Sequence, residues 1–146
     1  MNRFIFLSLV ILCSLKASFV SSQNWQSDWE ETKLKSKQTN KKIVLVFSGS
    51  DWCIPCIKLE KEIWTNPEFI FYAEENYLLF RADFPKRKKN KLPNEIQDRN
   101  DQIASVYNPS GYFPLVVILN SNVEVIGRLG YDKIPVKSYI QNIEDF

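Results

Sequence analysis

Histidine is absent from all 146 residues. Without an imidazole there is no Ser–His or Cys–His nucleophile pair, no histidine acid–base catalyst and no His-ligated metal. Glycine occurs only 4 times and cysteine 3 times, beside 45% hydrophobic and 25% charged residues. That balance excludes disorder, collagen-like repeats and disulfide-dense scaffolds. No nicotinamide or flavin motif is present. What is there is a chain long enough for one domain, with aromatics at 14% to fill a core. Its three cysteines are the most informative residues in it.

Residues 1–22 carry Arg3 and then a mostly apolar run, 4–15, ended by Lys16. Such a run is short for a bilayer span and fits the apolar core of a secretory signal peptide. Val20 and Ser22 suit the small-residue cleavage rule, so the expected cut follows Ser22 and leaves a domain of residues 23–146; an uncleaved anchor is the alternative. Cys13 follows the bulky Leu12, which disfavours a lipid-attachment signal. Beyond Ser22 stand 17 basic and 17 acidic residues, a neutral chain that gives no reason to expect nucleic acid as a partner. Two cysteines remain, Cys53 and Cys56, in C-x-x-C spacing.

Alternating patterns organise the rest. Trp25 and Trp29 stand four apart and predict an amphipathic helix over residues 24–40. The run 43–47 is apolar and β-branched, as in a strand covered on both faces. From Cys53 the positions Cys56, Leu59 and Ile63 follow helical spacing, with Pro55 tolerated in the first turn. A break at Asn66–Pro67, more helix to 75 and a strand at 77–82 follow. Lys86-Arg87-Lys88-Lys89-Asn90-Lys91 is either a solvated loop or an electrostatic docking patch. A helix over 94–107 turns Ile96, Ile103, Val106 and Tyr107 inward; strands at 114–119 and 123–129 make a hairpin, and a helix starts near Pro135. The order implies a three-layer α/β/α fold whose mixed central sheet of about four strands ends in an antiparallel hairpin.

Cys53 falls where a strand gives way to a helix, facing unpaired N–H groups that favour thiolate over thiol. Cys56 lies one turn further in. The expectation is an exposed, activated thiol beside a shielded one, which is the division of labour in thiol–disulfide exchange. The alternatives are a structural zinc site, for which two Cys and no His supply too few ligands, a purely structural disulfide closing a very small loop, and two inert core cysteines.

The segment from Val44 to Cys56, ending Ser48-Gly49-Ser50-Asp51-Trp52-Cys53-Ile54-Pro55-Cys56 and followed by Lys58-Leu59-Glu60-Lys61-Glu62, resembles the active-site strand and helix of the thioredoxin superfamily. Exported single-domain members with the pattern S-G-S-D-W-C-x-P-C are the most similar form, and the resemblance extends over nearly all of residues 23–146. It implies a cis-proline at Pro114 opposite the cysteines, with Phe113 presenting its backbone to an extended substrate. It implies substrate contacts from Trp52, Ile54, Pro55, Phe113 and Pro114, and an apolar rim of Trp52, Ile54, Tyr112 and Phe113. Trp64 reads as core packing. Two departures stand out. Phe47 occupies the place of the family's buried aspartate, so Cys56 must exchange its proton with water or another group, and Asp51 is too superficial to assign. Ile54-Pro55 replaces Gly-Pro, without the charged residue that strong oxidants carry, which points to a reducing pair.

The resulting expectation is an exported, monomeric thiol–disulfide oxidoreductase, periplasmic or secreted, with Cys53 as nucleophile and Cys56 as resolving thiol. It would act on protein disulfides without metal or other cofactor and draw electrons from a membrane partner. A non-catalytic, client-holding module of the same fold is the rival reading; a reductase for cytochrome maturation is a third.

Overall fold

The computed structural model describes residues 23–146, and the signal-peptide expectation lies outside the described residues. At its centre is β2 (Lys42–Ser48). Side chains alternate across a strand, so Ile43, Leu45 and Phe47 enter one apolar cluster while Val44 and Val46 enter another. All five are buried. Both faces of the sheet are therefore covered. Leu59, Ile63, Phe69, Ala73, Tyr139 and Ile143 close the face of Val44 and Val46 from α2 (Ile54–Leu59), a π-helical turn (Glu60–Trp64), α3 (Pro67–Asn76) and α5 (Val136–Glu144). Trp29 and Ile103 close the face of Ile43, Leu45 and Phe47 from α1 (Trp29–Thr39) and α4 (Asn94–Tyr107). This is the expected three-layer sandwich.

The sheet has five strands in the order β1-β3-β2-β4-β5, with β1 (Trp25–Gln26), β3 (Tyr77–Asp83), β4 (Leu115–Leu119) and β5 (Val125–Leu129) around β2. β1, β3 and β2 run parallel, β4 is antiparallel to β2, and β4–β5 is the anticipated antiparallel hairpin. The count exceeds the expected four because Trp25 pairs alongside Leu79 instead of joining a helix with Trp29. Asp28 is the reason. Its carboxylate accepts the Glu31 N–H at 2.7 Å, which caps α1 and leaves the preceding residues extended.

Two other boundaries differ from the sequence reading. β5 starts at Val125 and not at Val123, because Asn120 Oδ1 accepts the N–H groups of Asn122 and Glu124 and commits them to the turn. Val106 faces solvent, 66% exposed, while its helix neighbours Ile103 and Tyr107 pack against the sheet. The helix after Cys53 also widens. Thr65 donates to the Glu60 carbonyl through both its N–H and its hydroxyl, each at 3.0 Å. The broader turn lets consecutive residues Ile63 and Trp64 both enter the core.

Candidate active site

The site forms where β2 ends. Trp52 and Cys53 both donate their N–H to the Gly49 carbonyl, at 3.2 and 2.9 Å, in a tight turn that starts α2. Cys53 is the cap of that helix: its sulfur accepts the Cys56 N–H at 3.3 Å. Pro55 sits in the first turn, where a missing N–H breaks no bond. Cys53 and Cys56 are joined as a disulfide across a Cα separation of 5.2 Å. The Gly49 N–H points at Cys56 Sγ from 3.5 Å. Both sulfurs thus face backbone donors, the kind of partner that favours a thiolate once the bond opens.

One expectation is corrected. Cys53 was to be the exposed member of the pair, yet it is 4% exposed against 3% for Cys56. Joined as a disulfide, both sulfurs are buried.

Opposite the cysteines, Phe113–Pro114 is a cis peptide bond leading into β4. Its position is fixed by buried Asn108, whose side chain donates to the Tyr112 carbonyl at 2.8 Å and accepts the Tyr112 N–H at 2.9 Å. Gly111, at φ 68°, makes that reversal possible. The Phe113 ring meets Trp52 edge-on, centroids 5.4 Å apart. Trp52 and Phe113 are therefore brought together, as the rim reading requires. Ile54 and Tyr112 stand open beside them, 67% and 66% exposed, and Ile57 adds to the patch. Phe113 and Pro114 are half-buried.

The sequence did not single out three of the rim's supports. The Phe84 carbonyl accepts the Trp52 indole N–H at 2.7 Å, and its ring packs on Phe113 at 5.5 Å. Lys86 Nζ lies 3.8 Å over the indole face. Asp51 accepts the N–H groups of Lys86 and Arg87 and the Asn90 side-chain amide, all at 2.9 Å. The Lys86 N–H foremost, with Asn90 and Arg87, holds the Asp51 carboxyl below its ordinary range. These contacts cross 29 to 39 residues of sequence, so no local pattern announces them.

Behind the disulfide, Phe47 is fully buried in the apolar cluster with Phe80 and Trp29, so no carboxylate occupies that position. Cys56 instead lines a cleft of about 340 Å³ with Ser48, Ile57, Glu60 and Arg81. Glu60 and Arg81 form an ion pair there. Among the described residues, no group of three or more Cys, Asp or Glu is arranged to hold a metal ion.

A family model described as thioredoxin-like matches residues 24–121. The chain is 32% identical to the disulfide bond reductase DsbH of Chlamydia pneumoniae over 120 residues, 82% of this chain and 70% of that protein. It is 28% identical to the thioredoxin-related protein DsbJ of the same organism over 106 residues, 73% of this chain but 30% of that protein. A solved structure of a DsbH oxidoreductase superposes with a TM-score of 0.78 at 29% identity, covering 86% of this chain and 84% of that one.

Proposed function

This chain belongs to the thioredoxin-like family, and from that premise we propose that it is a protein-disulfide reductase of an extracytoplasmic compartment. Cys53 is the nucleophile and Cys56 the resolving thiol. Trp52, Ile54, Pro55, Phe113 and Pro114 form the surface that receives the client. The observation that carries the reading is the Cys53–Cys56 disulfide capping α2, with a backbone N–H directed at each sulfur.

The chemistry starts from the dithiol. Backbone N–H groups at a helix start favour thiolate over thiol, and Cys53 acts as the thiolate. It attacks one sulfur of a client disulfide; a Cys53–client bond forms, the client S–S bond breaks, and the first client thiolate leaves. Cys56, deprotonated, then attacks the Cys53 sulfur and expels the second client thiolate. Two electrons pass to the client, and the protein is left with the disulfide described above. The carboxylate lining the cleft with Cys56 is that of Glu60, since Phe47 offers none. An exported reductase must be recharged by a dithiol donor, and with no nicotinamide or flavin motif that donor is a membrane partner. The apolar stretch before Lys16 supports export.

The test is reduction of a model protein disulfide by the purified protein with a dithiol as electron source. Cys53→Ser abolishes turnover, and Cys56→Ser accumulates mixed disulfides visible on non-reducing gels. Equal rates for wild type and Cys53→Ser would overturn the reading. An equilibrium potential near that of the strong oxidants would reverse the direction of electron flow.

A further inference from the structure

Five of the six residues 86–91 are basic, and all six are exposed. A run of like charge repels itself and has no intrinsic reason to hold one shape. Here it is held. Its root is fixed by the Phe84 N–H on the Ser48 carbonyl at 2.8 Å, and Lys88–Asn90 forms a 3-10 turn. Asp51, two residues from Cys53, grips the run at Lys86, Arg87 and Asn90. Lys86 lies on the indole of Trp52, the residue next to the nucleophile.

Asp51 and Asp83 offset the loop's charge only in part, Asp51 through its attraction to Arg87. Asp51 is occupied by backbone N–H groups and the Asn90 amide, and Asp83 by Ser50, at 2.9 and 2.5 Å. Among the described residues, none of Lys86, Arg87, Lys88, Lys89 and Lys91 forms a salt bridge. Five basic side chains beside one such carboxylate leave a net positive ridge along one side of the rim. Elsewhere in residues 23–146 there are 12 basic against 17 acidic residues. The remaining surface is thus net negative and repels a broad anionic sheet, while a short acidic segment can reach the ridge alone.

We propose that this pinned basic loop docks acidic residues flanking the target cysteine of a client protein, and so selects which disulfides the site reduces. The proposal rests on the reductase reading and adds its substrate class. Exposed charges act over a Debye length of about 8 Å at physiological salt, so the selected acidic residues lie within a few positions of the client cysteine. Their effect falls mainly on the rate of encounter.

The experiment is single-turnover reduction by the purified protein, itself reduced and freed of reductant. The substrates are disulfide-bonded peptides identical except for four flanking Glu, Gln or Lys residues. At low ionic strength the Glu-flanked peptide reacts about tenfold faster than the Gln-flanked one, and the Lys-flanked peptide reacts slowest. The advantage collapses at about 0.5 M salt, where the Debye length is only a few ångströms. The double variant Lys88→Glu/Lys89→Glu loses the preference and reduces the Gln-flanked peptide at the wild-type rate. Equal rates for the three peptides, or a preference that survives in the variant, would overturn the proposal while leaving the reductase reading intact. Failure to reduce even the Gln-flanked peptide would remove the reading and the proposal together. Loop-dependent cosedimentation with phosphatidylglycerol vesicles, without any peptide preference, would assign the ridge to a lipid surface and overturn it also.

Discussion

At position 49 any side chain collides with the Trp52 indole. A Cβ built there would lie 2.4 Å from the ring, well inside contact distance. The ring has little freedom to retreat, because its N–H is bonded to the Phe84 carbonyl and its faces meet Phe113 and Lys86. Gly49→Ala is therefore expected to destabilise the protein by roughly 1–3 kcal/mol, the usual range for overpacking, and to shift tryptophan emission as the indole is displaced. A denaturant melt and a fluorescence spectrum check both. The substitution touches no sulfur, yet client reduction should slow because the rim is displaced with the ring.

At the scale of elements, the join between the 86–91 loop and the start of α2 depends on one carboxylate. Asp51 is held below its ordinary pKa when folded, so its contribution is present at neutral pH and is lost only as pH falls through that lowered value. Hydrogen exchange should report this: protection of the Lys86 and Arg87 amides persists down to about pH 4, the ordinary carboxylate range, and fails below it. Asp51→Ala should remove the protection at neutral pH. The helices and strands themselves were largely legible. Uninterrupted β-branched runs such as 43–47 and the spacing of Cys56, Leu59 and Ile63 are local signals, and the elements formed where those signals lay. The two-residue β1 was not legible, since its pairing with β3 is a long-range event and its end is set by a cap at Asp28. The same reason hid Phe84 and the role of Asp51. Each acts through a partner fixed only when β3 and the segment before β4 come together at the end of β2. Val106 misled because its spacing suits an inward face, whereas the contacts with the sheet are made by Ile103 and Tyr107.

For the molecule as a whole, cohesion on one side of the sheet converges on Trp64. Its ring meets Trp25 from β1, Phe69 from α3 and Tyr139 from α5, with centroids 4.9–6.2 Å apart and edge-on geometry. Tyr139 in turn donates its hydroxyl to the Gly130 carbonyl at 3.0 Å, and burial pushes its pKa up. Trp64→Ala is expected to cost about 3–5 kcal/mol, a large part of the 5–15 kcal/mol typical of a domain. The unfolding midpoint should fall accordingly in a single cooperative transition. The disulfide belongs to this same packed body, and its two sulfurs are covered while bonded to each other. In the oxidised molecule a small thiol passing in solution therefore meets little exposed sulfur to attack.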